Sequence, residues 1–238
     1  MNTSNTIRVV LMEPSHPGNI GAAARAVKTM GIEQLVLVNP KRFPDPEATV
    51  RAVDAVDVLE RATVCSSLKE AIGQCTFVVG TTARKRGLAC PQIAPRELGA
   101  RVWQELAGGP VAIVFGRESS GLSNDELDLC QFVTAIPSMK SLNLAAAVQV
   151  ICYEIFMAAG GAHAVDVESE DALAASMELE RLFEHLQTVL LEIGFLDPRQ
   201  PKLLMRRLRH VYQRAQLTQV EVNILRGILS ATEDSTSR

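Results

Sequence analysis

Six short runs of apolar, largely β-branched residues recur along the first 135 positions: Ile7–Leu11, Leu35–Val38, Ala62–Cys65, Phe77–Val79, Val111–Phe115 and Phe132–Ala135. None alternates with polar residues, so each reads as a strand covered on both faces, which is the habit of a parallel sheet. Helix-forming stretches separate them. Ile20–Met30 contains AAARAVKTM and stops at Gly31, a good helix terminator. Ser67 with Glu70, and Ser123 with Glu126, have capping-box spacing, and Pro95 opens a further helix. Asn143–Ala159 is a long apolar helix closed by Gly160 and Gly161. Strands alternating with helices predict an α/β domain with a mostly parallel sheet over residues 1–160.

The rest of the chain differs in charge. Residues 1–160 carry 15 basic and 15 acidic side chains, whereas residues 161–197 carry nine acids and one base, Arg181. Residues 198–214 then hold six bases (Arg199, Lys202, Arg206, Arg207, Arg209, Arg214) and no acid. This pattern predicts an acidic linker over 161–175 and a small helical extension over 176–238. Its three helices are expected at Ser176–Ile193, Lys202–Ala215 and Gln219–Leu229. The extension is too small for a strong core of its own and is expected to fold against its own or a partner's core. A formal net charge of −3 excludes a protein that coats nucleic acid, while one concentrated basic stripe suits docking to phosphate at a defined place. The plain alternative is a solvated helix face.

Other classes fall away. The five cysteines are odd in number, widely spaced and without a CxxC pair, and the four histidines are scattered, so neither a disulfide framework nor a metal site is expected. Met1–Thr6 is short and polar, and Leu142–Ala162 is broken by Asn143, Gln149 and Glu154. A cytoplasmic protein with no membrane span is the expectation. No loop matches GxGxxG, GxxxxGK[ST] or GxSxG, so dinucleotide, triphosphate and triad hydrolase chemistry lack support.

In an open α/β sheet, ligands bind beyond the carboxyl ends of the strands. Four strand-following loops combine glycine with small polar or charged residues: Glu13–Gly21, Gly80–Gly87, Gly116–Leu122 and Ile136–Asn143. Such loops allow main-chain groups to approach a ligand closely.

Three of these segments carry a resemblance. GNIGAAARAVKTMG (18–31), VFGRESSGL (114–122) and IPSMKSLNLAAAVQV (136–150) resemble the three ordered motifs of the SPOUT methyltransferases. The likeness is strongest to the TrmJ branch, the bacterial tRNA (cytidine/uridine-2′-O)-methyltransferases, and extends to NILRGIL (223–229) near the C-terminus. It implies a sheet with a deep C-terminal trefoil knot, a homodimer, tRNA as partner and S-adenosylmethionine as cofactor, with no metal required. The implied reaction is 2′-O-methylation of the cytidine or uridine ribose at tRNA position 32. Another tRNA site, ribosomal RNA, or a catalytically silent RNA-binding protein of the same fold are the alternatives.

Carried over residue by residue, the cofactor contacts fall on Thr81, Thr82, Ala83, Gly116, Ile136, Lys140, Ser141 and Leu142. The methyl-accepting ribose falls to Asn19, Arg25, Glu118, Ser141 and Asn143, with Arg25 the chief catalytic candidate. Arg25 has two conceivable roles, general base or clamp on the adjacent phosphate and the developing alkoxide; a guanidinium ordinarily stays protonated, and the clamp is an equally economical role. RNA docking falls to Arg84 and Arg86, with Lys85 between them, and to Arg206, Arg207 and Arg209. The same residue types have structural uses: Asn19 or Asn143 as helix caps, Arg25 as a solvated arginine, Glu118 as an arginine partner. One departure from the family pattern is the short Met139-Lys140 segment before Ser141-Leu142-Asn143.

Overall fold

The computed structural model describes residues 6–32, 34–83, 90–160, 172–197 and 201–236. Residues 161–171 of the expected linker lie outside them, as do Arg84, Lys85, Arg86, Arg199 and the side chain of Lys202.

Seven strands form one sheet: β1 (Ile7–Met12), β2 (Gln34–Val38), β3 (Thr63–Cys65), β4 (Phe77–Thr81), β5 (Gln92–Ile93), β6 (Val111–Phe115) and β7 (Phe132–Thr134). The order is β3-β2-β1-β6-β4-β7-β5, and every pairing is parallel. All six expected strands are present. The two-residue edge strand β5 was not expected, because Gln92 and Ile93 are too few to carry a periodic signal.

Two apolar layers explain why the strands are continuously hydrophobic. Val9 and Leu11 of β1, with Ile113 of β6, pack on one side against α1 (Pro17–Thr29), α5 (Pro95–Glu105) and α7 (Leu144–Ala159). Val10, Met12 and Val114 pack on the other against α4 (Leu68–Ile72) and α6 (Asn124–Leu127). Successive side chains alternate between faces, so a strand with both faces covered has no polar positions.

Two helices escape the sequence reading, α2 (Pro46–Ala52) and α3 (Val56–Glu60). Both are short, and α2 is organised by Asp45 as N-cap followed by Pro46. It meets α1 at glycine: a Cβ on Gly21 would stand 2.1 Å from the Ala48 carbonyl oxygen. The Ser123/Glu126 capping box is complete. At α4 it is half-formed: Ser67 accepts from Glu70 N, but the Glu70 carboxylate reaches back one residue further, to Ser66 N at 2.8 Å.

The extension comprises α8 (Ser176–Glu192), α9 (Pro201–Ala215) and α10 (Gln219–Thr236), the last longer than expected. It folds on the chain's own core. Ser176 N donates to Cys75 O at 2.9 Å, and Met177 N to Gly73 O at 3.1 Å. Leu173 forms an antiparallel bridge with Thr218. Asp128, which caps the end of α6, accepts Arg206 Nε at 2.8 Å through its carboxylate and Gln213 Nε2 at 2.9 Å through its carbonyl. Arg209 pairs with Glu180 and lies 4.6 Å over the Phe183 ring. Two arginines of the basic stripe, Arg206 and Arg209, therefore join parts of this chain together, while Arg207 is exposed. All five cysteines are free and buried.

His210 is 5% exposed within this junction, and its Nε2 lies 3.9 Å from Asp128 Oδ1, too far for a hydrogen bond. Burial pushes its pKa down; Asp128 opposes that shift, while Arg206 and Arg214 reinforce it. Because the folded state disfavours the charged ring, its contribution to stability is full above the unfolded pKa of about 6.5 and is lost as pH falls below that value. Urea midpoints measured from pH 8 to pH 5 should drop more steeply for the wild type than for His210→Asn; parallel profiles would refute this assignment. At the α5–α7 contact, a Cβ on Gly99 would stand 2.3 Å from Glu154 O. Gly99→Ala should therefore destabilise by about 1–3 kcal/mol, read as a lower urea midpoint at unchanged slope.

Candidate active site

Beyond the carboxyl ends of β4, β6 and β7 lies an open cleft of about 820 Å³, counting its mouth. Three chain segments wall it: Thr81-Thr82-Ala83 after β4, the loop from Gly116 to Leu122 after β6, and the stretch from Thr134 to Leu144 after β7. Its position agrees with the rule that parallel sheets bind ligands at this edge. Of the residues carried over for the cofactor, Thr81, Thr82, Ala83, Gly116, Ile136, Ser141 and Leu142 line it. Lys140 is exposed and is not among the lining residues.

The Gly116 loop closes on itself. Arg117 N donates to Gly121 O at 3.3 Å and Gly121 N to Arg117 O at 2.9 Å. A Cβ on Gly116 would stand 2.2 Å from the Gly121 carbonyl carbon, and Gly121 has φ +71, so both positions require glycine. Thr134 Oγ1, on the wall of the cleft, is buried and has no hydrogen-bond partner among the described residues. An orphaned hydroxyl beside a ligand-sized cleft is what a bound polar ligand would satisfy.

Arg117 braces this loop from outside. Its guanidinium is bidentate on Glu126, at 2.9 and 2.8 Å, and its Nη2 reaches Glu13 at 2.5 Å. These hydrogen bonds hold Arg117 well above the ordinary arginine range. Glu13 is correspondingly lowered, first by its hydrogen bond from Arg117. Burial acts to raise Glu126, but Arg117 and Ser123 outweigh it and the carboxyl is lowered. The loops after β1 and β6 and helix α6 thus meet at one guanidinium. Sequence reading missed this brace; the adjacent Arg117-Glu118 pair and the fixed offset to Glu126 are the only signal it leaves.

Glu118 points the opposite way. Its carboxylate accepts from Ser15 N at 3.1 Å, Ser15 Oγ at 3.0 Å, His16 N at 3.3 Å and Asn19 Nδ2 at 3.2 Å. His16, the N-cap of α1, makes no side-chain cap, so Glu118 supplies from the loop after the neighbouring strand the acceptor that the helix start lacks. Burial alone would raise the Glu118 carboxyl, but a hydrogen bond from its own backbone N–H, with those from Asn19, Ser15 and His16, overcomes it and holds it below the usual range.

The line continues. Asn19 Oδ1 accepts from Asn143 Nδ2 at 3.0 Å, and Asn143 Oδ1 accepts from Ala145 N at 2.9 Å. Asn143 is therefore both the N-cap of α7 and a member of the cluster. Asn19 is not a cap; it sits inside the first turn of α1. One residue from each motif segment stands in a single hydrogen-bonded row: Asn143, Asn19, Glu118.

Arg25 does not join them. It is exposed, lies outside the cleft lining, and has no hydrogen-bond or ion-pair partner among the described residues. Six residues beyond Asn19, it stands about 9 Å along α1 and about 120° around it. Among the described residues no group of three or more His, Cys, Asp or Glu is placed to hold a metal ion, and no helix is long and apolar enough to cross a membrane.

Known proteins resemble the chain along nearly its full length. It is 49% identical to a tRNA (cytidine/uridine/adenosine-2′-O-)-methyltransferase TrmJ of Pseudomonas aeruginosa, over 95% of this chain and 93% of that protein. It is 46% identical to a tRNA (cytidine/uridine-2′-O-)-methyltransferase TrmJ of Cronobacter sakazakii, over 96% of each. The crystal structure of TrmJ from Z. mobilis ZM4 superposes with a TM-score of 0.84 at 32% identity, covering 96% of this chain and 99% of that one. Residues 177–238 match the C-terminal domain of the tRNA methyltransferase TrmJ. Residues 6–153, which contain the sheet, the cleft and the Asn143–Asn19–Glu118 row, match the SpoU rRNA methylase family, and the chain belongs to that family.

Proposed function

We propose that this chain is an S-adenosylmethionine-dependent methyltransferase acting on the 2′-hydroxyl of cytidine or uridine at position 32 of tRNA. The observation that carries the reading is the row Asn143–Asn19–Glu118 beside the cleft, in a chain whose last 62 residues match a tRNA methyltransferase domain. The catalytic half matches a family described by ribosomal RNA, so ribosomal RNA is the second reading; the tail and the full-length relatives favour tRNA. In this reading residues 1–160 are the knotted catalytic domain, 161–175 a linker and 176–238 an RNA-docking extension, and the protein works in the cytoplasm.

The cleft suits the cofactor. It is walled largely by loops, it carries the Thr134 hydroxyl, unpartnered among the described residues, and it depends on a glycine at 116 where a side chain would collide. When bound, S-adenosylmethionine supplies an electrophilic methyl group. Thr81, Thr82, Ala83, Gly116, Ile136 and Leu142 would hold it, with Ser141 at the lip and Lys140 free to meet a carboxylate or an RNA phosphate.

The protein's own contribution is positional and electrostatic. The accepting ribose must be held in line with the methyl and its hydroxyl polarised as the proton leaves. Glu118, kept ionised, fixes Asn19, and Asn19 fixes Asn143, so two amides and Ser141 are presented to the ribose in set orientations. Arg25 fits as a clamp on phosphate and on charge developing at the 2′-oxygen. Its place on another face of α1 favours service to the cleft of a second subunit, which makes the functional unit a homodimer. The extended apolar stripe Tyr153, Phe156 and Met157 on α7, 46–54% exposed, supports a covering partner. Arg207 is exposed and is offered to the RNA backbone, together with Arg84 and Arg86 beyond the described residues, whereas Arg206 already ties α9 to Asp128 and Arg209 ties α9 to Glu180 of α8.

Incubation with labelled S-adenosylmethionine and unmodified tRNA transcripts, followed by nucleotide mapping, tests the assignment. Methyl on the ribose of position 32 is expected; transfer only to ribosomal RNA, or binding without transfer, would reject it. Arg25→Ala should lower kcat about 10²–10³-fold while leaving cofactor affinity by calorimetry within about twofold, since Arg25 lies outside the cleft of its own chain. Phe156→Asp should shift the sedimenting species from dimer to monomer and abolish transfer together; a dimer that persists would remove α7 from the interface.

A further inference from the structure

We propose that Arg51, on α2, is a second RNA-phosphate ligand that works beside Arg25; the proposal rests on the tRNA reading above. Helix α1 carries Gly18, Gly21 and Arg25 three and four residues apart, so the three share one face. The glycines leave that face bare, and α2 fills it. A Cβ on Gly21 would stand 2.9 Å from Arg51 Cβ, and a Cβ on Gly18 would stand 3.6 Å from Arg51 Cγ. The arginine stem therefore runs along α1 from Gly21 toward Gly18, which is toward the end that bears Asn19 and the Glu118 carboxylate.

Several other cations on this side of the molecule are engaged by carboxylates. Lys28 pairs with Asp57 at 2.7 Å, Arg61 with the same carboxylate at 2.7 Å, and Arg42 with Asp45 at 2.9 Å. Arg25 and Arg51 are both exposed and have no hydrogen-bond or ion-pair partner among the described residues. Glu47, one turn before Arg51, has its carboxylate over Gly18 and forms no ion pair with it. Two exposed positive side chains, Arg25 on α1 and Arg51 on α2, thus flank the same glycine-lined face of α1. A polymer of phosphodiesters fits this arrangement: two consecutive backbone phosphates take one guanidinium each, and the nucleotide between them is held in register. If Arg25 serves the nucleotide being methylated, Arg51 grips the strand one step away and acts on substrate affinity more than on turnover.

The test uses the full-length chain with Arg51→Gln, which keeps the stem against Gly18 and Gly21 and removes only the charge, and with Arg51→Lys. Binding of unmodified tRNA is followed by filter retention across a salt series, and methyl transfer is measured alongside. Arg51→Gln should weaken tRNA binding about tenfold, reduce the slope of log K against log salt by about one, and raise KM for tRNA with kcat near wild type. Arg51→Lys should recover most of the affinity, because a phosphate accepts either cation. Wild-type affinity and slope in Arg51→Gln would overturn the proposal. Wild-type protein that binds tRNA but transfers no methyl would sink the functional reading and leave the Arg51 slope still decisive. Wild-type protein that binds no tRNA would overturn both.

Discussion

The carboxylate of Glu118 ties the site together. It comes from the loop after β6, yet its hydrogen bonds to other residues go to the start of α1, more than 95 residues earlier in the chain. A helix start presents unpaired N–H groups and a partial positive charge, so an ionised carboxylate there is favoured despite burial. The low carboxyl pKa and the capped helix are two expressions of one contact. Because Asn19 is held by the same carboxylate, the orientation of the amide row follows from the capping of α1.

Arg117 is what allows its neighbour to do this. Arg117 is anchored on Glu126 and Glu13, while Glu118, in the turn that follows, reaches the start of α1. The glycines at 116 and 121 permit the tight closure between them. The loop is fixed by the ion pairs of Arg117 and by the bonds of Glu118 to the helix start, and both residues belong to the cleft wall. A cleft walled by three loops keeps its shape only if those loops are braced, and these residues brace one of them.

The sheet was legible in the sequence because both of its faces are buried: six apolar runs without polar alternation correspond to six strands in the structure. Helices with strong ends were legible too, notably α6 with its capping box and α7 with Asn143. What escaped was short or depended on distant partners. Helices α2 and α3 have seven and five residues, too few for a periodic apolar face. The basic stripe was visible as composition, but composition does not record that Arg206 meets Asp128 or that Arg209 meets Glu180. Within the cleft, the motif residues Gly116, Ile136, Ser141 and Leu142 could be placed in advance, whereas the Thr134 hydroxyl and the Arg117 brace needed coordinates.

The extension and the cleft share one small element. Helix α6 presents Glu126 to Arg117 on the cleft side and Asp128 to Arg206 and Gln213 on the side of α9. A four-residue helix cannot move at one end without the other, so the docking of α9 and the posture of the cleft loop are mechanically joined through about one turn of backbone. The α9 side is the less completely bonded of the two. Asp128 Oδ1, His210 Nε2 and Gln213 Oε1 are all buried there without hydrogen-bond partners among the described residues, while the Glu126 carboxylate on the cleft side is bonded through both oxygens. Unsatisfied polar atoms lower the cost of opening a contact. If the helices shift when RNA arrives, the α9–α6 contact should yield before the Arg117 brace does, and the cleft would keep its shape while the extension adjusts.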